Sequence, residues 1–344
     1  MRLIVSTDIM MAVQVSLACS LGFVRHVSPR AGGRCPSIVR HSSCSESWQD
    51  VTSITNQRVK AARVLATANG RKKSGLVLLE GHRLVCDALE FALEQPDGGI
   101  PLPEVVFFAP EGLTVPEGPR LEALLRRLDH GTVLRATPEV LAAVATTETP
   151  QGVCMALARP RLKWAIPKTR LFLILDGIKD PGNLGTLVRS AAAAGCGGVL
   201  LVNGCTDPWA PKAVRSSMGA TLRVPIKSIP DWASALELLD DSGGQIMIHA
   251  ADAGGERAYY EVDWAQGRHA LVVGSEAQGL SPQVRKAATD GRVELVAIPL
   301  AMQPHCRHEP QCSEKGTGMV ESLNAAVAGS VILCEAHRRI LTKS

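Results

Sequence analysis

Short apolar runs recur along this chain, most of them followed by a stretch with helical spacing. LVLLE after Gly75, EVVFFA from Glu104, TVLRA from Thr132 and GVCMALA from Gly152 predict strands in the first half. LFLILD from Leu171, GGVLLVNG from Gly197, LRVPI from Leu222, QIMIHAAD from Gln245 and HALVVGSE from His269 predict strands in the second. Strands apolar on both faces belong to sheets covered on both sides, above all parallel ones. Between them, SITNQRVKAARVL, the segment after Gly81, LEALLRRL, PEVLAAVA, LGTLVRSAAAAG and PWAPKAVRSSMGA carry helical spacing. Asn69-Gly70 reads as a stop for the first of these helices. Alternation of strand and helix predicts an α/β fold in two parts. A compact α/β domain is expected over 50–158, a linker with Pro160 and Pro167 over 159–170, and a parallel sheet with crossover helices over 171–344.

One stretch, Leu171 to Ser190, organises the second part. A buried strand runs into a turn of Asp180, Pro181, Gly182 and Asn183, and a small-residue helix follows, with Arg189 six positions after Asn183. The carboxyl end of such a strand is where open α/β sheets bind ligands.

Composition narrows the function. The formal charge of +4 permits a nucleic-acid partner without demanding one. Basic residues cluster early in the first domain, at Arg58, Lys60 and Arg63 and again at Arg71, Lys72 and Lys73. That is the expected RNA-facing patch, since Lys and Arg neutralise phosphates without reading bases. Aromatic residues make up 3% of the chain, which argues against recognition by base stacking. The ten cysteines are scattered with no CxxC pair, a pattern of a reducing compartment. There is no GxGxxG turn, no GxxxxGK[ST] loop and no HExxH helix, so a nicotinamide oxidoreductase, a nucleotidase and a zinc enzyme all lose ground. From Met1 to Ser45 the one acidic residue is Asp8, against Arg2, Arg25, Arg30, Arg34 and Arg40. Arg-rich, Ser-rich and acid-poor is the composition of an organelle transit peptide, with mitochondrion and chloroplast both open. The uncharged run Ile9 to Val24 falls short of the roughly 20 residues a membrane span needs, so no membrane anchor is expected.

Three ordered segments then carry a resemblance. They are DGIKDPGNLGTLVRSAAAAG, LVVGSEAQGLSP (Leu271–Pro282), and AIPL (Ala297–Leu300) completed by GMVESLNAAVAGSVILCEAHRR (Gly318–Arg339). Together they resemble the motifs of the SpoU/TrmH-type RNA ribose 2′-O-methyltransferases of the SPOUT superfamily. The first domain, chiefly through LLEGHRLVCDAL, is similar to the substrate-binding domain that precedes the catalytic one in many members. The resemblance implies a parallel sheet closed by a C-terminal trefoil knot, behind a small ribosomal-protein-like RNA-binding domain. It implies S-adenosylmethionine as cofactor, held at Gly274, Ile298, Leu300 and Leu323. It implies a catalytic set of Arg189, Asn183, Glu276, Ser322 and Asn324, an RNA substrate, a homodimer and no metal. Large-subunit rRNA of an organelle is the expected substrate. The alternatives are tRNA, an inactive RNA-binding or ribosome-assembly protein with the same fold and, more remotely, a small-molecule α/β enzyme.

Arg189 matches the motif arginine, for which a general-base role has been proposed in the family. A guanidinium has a pKa above about 12, so holding it neutral near pH 7 would cost on the order of 7 kcal/mol. Hydrogen bonding to ribose and phosphate, with stabilisation of developing alkoxide, asks less of it. Glu276 could orient Arg189 or meet the cofactor's charge, Asn183 could fix the ribose, and Ser322 and Asn324 could simply cap a helix. His82, His249 and His269 match nothing in the family pattern and are expected to be structural or surface residues. The chain departs from the pattern at Met302–Thr317, an insert within the third motif that holds His305, Cys306, His308 and Cys312. A flexible loop is expected there, or a misplaced splice boundary, rather than a metal site.

Overall fold

A computed structural model of the chain describes residues 48–95, 99–164, 169–240, 245–300 and 322–342. The arginine-rich extension and the Met302–Thr317 insert lie outside these residues, as does Pro167.

The first part opens with strand β1 (Gln49–Val51), helices α1 (Gln57–Arg63) and α2 (Ala68–Ser74), and strand β2 (Leu76–Glu80). Helix α3 (His82–Glu94), β3 (Pro103–Phe108), α4 (Gly118–Leu125), β4 (Val133–Ala136), α5 (Pro138–Val144) and β5 (Val153–Ala158) follow. The strands form one mixed sheet in the order β1-β4-β3-β5-β2, with β5 antiparallel to both neighbours. Its two faces bury separate apolar clusters, Val77, Val85, Val106 and Leu121 on one and Val59, Leu78, Phe107 and Val140 on the other.

Asn69-Gly70 does not end the helical region. The Thr67 hydroxyl accepts from Gly70 N at 3.1 Å and starts α2 there, so the Asn-Gly pair sits in a first helical turn. The stop falls at Gly75, whose φ of 72° is the left-handed C-cap that glycine adopts without a Cβ clash.

The second part contains β6 (Leu171–Asp176), α6 (Pro181–Ala193), β7 (Val199–Val202), α7 (Pro211–Ser216), β8 (Ile226–Ser228), α8 (Trp232–Asp240) and β9 (Ile246–Ala251). It continues with β10 (Arg257–Ala258), β11 (Arg268–Gly274), α9 (Pro282–Thr289), β12 (Glu294–Ala297) and α10 (Ala325–Thr342). All seven strands are parallel, in the order β10-β12-β9-β11-β6-β7-β8. β6 and β11 lie beside each other at the centre, and every residue of LFLILD is buried, as its two-sided apolar pattern requires.

Two local expectations shift. The helix expected from Pro208 starts at Pro211 and ends at Ser216, with a 3-10 turn at Ala220–Leu222 after it. Gly219, at φ 77°, breaks the chain between them. The strand expected at LRVPI begins only at Ile226, because Leu222 is taken up by that turn and Pro225 has no amide to pair.

Candidate active site

The site is built at the carboxyl ends of the central strands. β6 ends in Asp176, which is buried and fully engaged: it accepts from Asn203 Nδ2, and from Ser281 N at 2.7 Å. Asn203 adopts φ 53°, a left-handed conformation that asparagine tolerates better than most residues. After β6 the chain turns into α6, where Asp180 caps the helix by accepting from Asn183 N at 2.8 Å. Lys212 of α7 pairs with the same carboxylate at 2.9 Å, and this contact, with the Asn183 amide after it, holds Asp180 below the usual carboxylate range. The role of Asp180 and its partner Lys212 was not anticipated. The DPGN spelling, an acceptor just before a proline-led helix, is the signal that could have found the cap.

Asn183 is the meeting point of the three motif segments. Its Nδ2 donates to Glu276 Oε1 at 2.7 Å, and its Oδ1 accepts from Asn324 Nδ2 at 3.2 Å. Asn324 also caps α10, its Oδ1 accepting from Ala326 N at 2.9 Å and Val327 N at 3.3 Å. The capping reading of this residue therefore holds, and the same side chain also meets Asn183. Glu276 contacts Asn183 rather than Arg189. Arg189 stands exposed on α6 and makes no hydrogen bond or ion pair with another described residue. Ser322 is exposed as well and is bonded to no described residue. A direct link between helices α6 and α10 runs through Ser190 Oγ and Ser330 Oγ at 2.6 Å.

Of the expected cofactor positions, Gly274 ends β11, Ile298 and Leu300 follow β12, and Leu323 immediately precedes Asn324. Because β12, β9 and β11 are adjacent, their carboxyl ends stand side by side at the usual spacing of about 4.8 Å. After Gly274 the chain doubles back, with Ser275 N donating to Gly279 O at 2.9 Å and Gly279 N to Ser275 O at 2.8 Å. A Cβ on Gly274 would fall 2.5 Å from the Gly279 carbonyl, so only glycine lets this turn close over the strand end. Arg285 of α9 pairs with Asp252 after β9 at 3.0 Å and ties two of these loops together. Ile298, Leu300 and Leu323 are half-buried apolar side chains, and Ile298 packs on the core beneath. Apolar side chains beside main-chain groups suit a flat heterocycle read along its edge, so this residue set fits an adenosine-bearing cofactor. A cavity of about 700 Å³ lies beside the Ser275–Gly279 turn, lined by Asp176, Lys179, Asn203 and Gln278 among others; none of the four expected cofactor positions lines it.

Of the expected RNA patch, Lys60, Arg63, Lys72 and Lys73 are exposed. Arg58 donates to the Gly131 carbonyl and, at 3.5 Å, to Glu104 O. Arg71 departs from expectation. It is 3% exposed, donates to Leu65 O and Ala66 O, and pairs with Asp207 at 2.7 Å, so its charge is spent inside the protein. Three adjacent basic residues on a helix cannot all face one way, and the spelling alone does not say which turns inward.

The three histidines set aside from sequence occupy packed positions. His82 Nε2 lies 2.7 Å from Gly112 O. His269 Nε2 lies 2.8 Å from Gln266 O, which can only accept, so this nitrogen carries the proton and Nδ1 accepts from His249 Nε2 at 3.0 Å. His249 Nδ1 sits 3.0 Å from Glu294 Oε2. Burial pushes His249 down to about 4 and lowers His269 too. Among the described residues no cluster could hold a metal ion, and no helix is long and apolar enough to cross a membrane.

Comparison with known proteins places this geometry. Residues 170–306 match the SpoU rRNA Methylase family, and residues 56–155 match the MRM3-like substrate binding domain. An uncharacterized tRNA/rRNA methyltransferase of Synechocystis is 36% identical over 84% of this chain and 93% of its own. The mitochondrial rRNA methyltransferase 3A of Danio rerio is 30% identical over 84% of this chain and 70% of its own. The Bacillus subtilis 23S rRNA (guanosine(2553)-2′-O)-methyltransferase RlmP is 28% identical over 83% and 98%. Among solved structures, an AdoMet-bound rRNA methyltransferase from Sinorhizobium meliloti superposes with a TM-score of 0.65 at 27% identity, over 84% of this chain and 97% of that one.

Proposed function

The chain belongs to the SpoU rRNA methylase family, and on that premise we propose that it methylates a ribose 2′-hydroxyl of organellar large-subunit rRNA, with S-adenosylmethionine as donor. The observation that carries the proposal is the convergence of Asn183, Glu276 and Asn324, one residue from each motif segment, at the carboxyl end of the sheet. The substrate-binding match over residues 56–155 and the ribosomal substrate named for the Bacillus relative favour rRNA over tRNA. Organellar location rests on the composition of the extension together with the mitochondrial relative.

When bound, S-adenosylmethionine would supply an already activated methyl on a sulfonium. What the chain must add is alignment and help with the hydroxyl proton. Gly274, Ile298, Leu300 and Leu323 would hold the cofactor, the first through its backbone and the others by apolar contact. Asn183, fixed on both sides by Glu276 and Asn324, presents a rigid amide to the ribose or the neighbouring phosphate. The uncommitted guanidinium of Arg189 hydrogen-bonds the target nucleotide and stabilises developing alkoxide character. Lys60, Arg63, Lys72 and Lys73 hold phosphates, with the substrate-binding domain at 50–158 and the catalytic one at 171–344. The expected knot depends on the path of residues 301–321, which lie outside the described residues. A homodimer is supported by the outer side of α10, where Val327, three residues after Asn324, and Leu341, near the other end of the helix, remain 48% and 61% exposed.

The test is methyl transfer from tritiated S-adenosylmethionine to organellar rRNA, with 2′-O-methyl mapping in cells with and without the gene. One rRNA nucleotide should lose its methyl group when the gene is absent. Failure of the purified chain to bind the cofactor in calorimetry, together with an unchanged map, would overturn the proposal.

A further inference from the structure

The junction between the two parts of the chain is built around a buried carboxylate. Glu80, at the end of β2, has a side chain only 5% exposed. It accepts from Thr146 Oγ1, from Thr146 N at 3.0 Å, from Thr147 N at 3.3 Å and from Thr147 Oγ1 at 3.2 Å. From the other part, Arg215 of α7 reaches in, with Nη1 at 3.4 Å from Glu80 and 2.8 Å from Thr146 Oγ1. A second ion pair, Arg71 to Asp207, crosses the same junction. Between them, Val214 and Leu222 are buried in the apolar cluster of the first sheet.

Helix α7 thus has one side fixed to the first part. Its other side is fixed to α6. Lys212 pairs with Asp180, the cap of α6. At Gly185 a Cβ would lie 2.4 Å from the Ala213 carbonyl, so the two helices touch backbone to backbone. A six-residue helix held on both sides cannot shift without moving one of its neighbours. The segment that Glu80 organises, Thr146–Thr147, runs on through Pro150, Gln151 and Gly152 into the wall of a cleft of about 860 Å³ in the first part.

We propose that Glu80 and Arg215 are positioning residues that set the register between the RNA-holding part and the helix carrying Asn183 and Arg189, and so help select the nucleotide that is methylated. The proposal rests on the function argued above. A rigid offset between the RNA grip and the transfer centre determines which ribose reaches the centre. Arg215 touches neither substrate nor cofactor in this scheme. It acts through α7.

The experiment compares the full-length chain with Arg215→Ala and Arg215→Lys. Removing Arg215 leaves Glu80 with its two threonines, so the fold is retained, and the melting temperature checks this. Expected for Arg215→Ala are a 10- to 100-fold fall in kcat, a KM for S-adenosylmethionine within twofold of wild type, and methyl groups appearing on nucleotides adjacent to the normal one. Arg215→Lys should restore the position and part of the rate. Hydrogen exchange supplies a readout that needs no activity: in Arg215→Ala, amides of α7 and of the first turn of α6 should lose protection together. Unchanged exchange in α6, or a slowed reaction at an unshifted nucleotide that lysine does not rescue, would overturn the proposal. If the wild-type chain methylates no RNA, the functional proposal fails, and the exchange experiment still decides whether Arg215 couples the two parts.

Discussion

Replacing Gly185 with alanine tests whether the α6–α7 contact sets the geometry of the site. In an isolated helix this change would stabilise by about 0.5–1 kcal/mol, since glycine pays more backbone entropy. Here the new methyl would lie 1.9 Å from Ser216 Oγ, 2.4 Å from the Ala213 carbonyl and 2.9 Å from Ser217 N. The hydroxyl can rotate away, but the carbonyl and the amide belong to the backbone of α7. Reaching ordinary contact near 3.4 Å requires the helices to part by about 1 Å. Overpacking of this kind costs roughly 1–3 kcal/mol. Less the propensity gain, a net loss of about 1–2 kcal/mol remains, or several degrees of melting temperature for a chain of this size. The kinetic effect should be larger, because displacement by about 1 Å of groups that hold a reactant can cost on the order of 100-fold in rate. Calorimetry and single-turnover methyl transfer measure the two effects. Gly131→Ala is the control, at a glycine with no neighbour within 4 Å of the added carbon and no left-handed backbone. A Gly185→Ala enzyme with wild-type melting and rate would refute the reasoning.

Arg189→Ala should abolish methyl transfer while calorimetric binding of S-adenosylmethionine stays within a few-fold, since Arg189 pairs with no described residue and its loss unpairs none. Wild-type turnover by that variant would remove Arg189 from the mechanism. Arg71→Met should destabilise by about 2–3 kcal/mol in denaturant titration, below the full figure for a broken buried pair because the Asp207 side chain is 28% exposed. Lys72→Met should leave stability within about 0.5 kcal/mol and flatten the salt dependence of RNA binding. Equal stability losses for the two variants would contradict the burial difference between them. His249, lowered by burial to about 4, binds a proton more readily unfolded than folded. Its contribution to stability is present above the ordinary value of 6.5 and is lost as pH falls toward about 4, so unfolding free energy should decline across that window. His249→Gln should flatten the decline, and an unchanged slope would show that another group carries it.

Local spelling was enough to place most strands and to find the three motifs, because strands buried on both faces must be apolar throughout and LFLILD and HALVVGSE satisfy that requirement. The DPGN turn likewise declares a helix start, and Asp180 caps it. Spelling could not say that Glu276 grips Asn183 rather than Arg189, since those residues are 93 positions apart and meet only when β6 and β11 pair. Nor could it separate Arg71 from Lys72. One faces Asp207 across a junction 136 residues distant and the other faces solvent, and only the packing of α2 against the second part decides which. Helical structure continues past Asn69-Gly70 in a second helix, α2, because a Thr67 cap outweighs the turn propensity of the pair. Sequence by itself therefore determined most of the elements, the parallel character of the second sheet and the candidate residues for the chemistry, all governed by neighbours a few positions away. Tertiary structure decided which of those residues are already spent in internal bonds and which, like Arg189, remain free to act, because a charged side chain's fate depends on partners that the folded sheet brings to it.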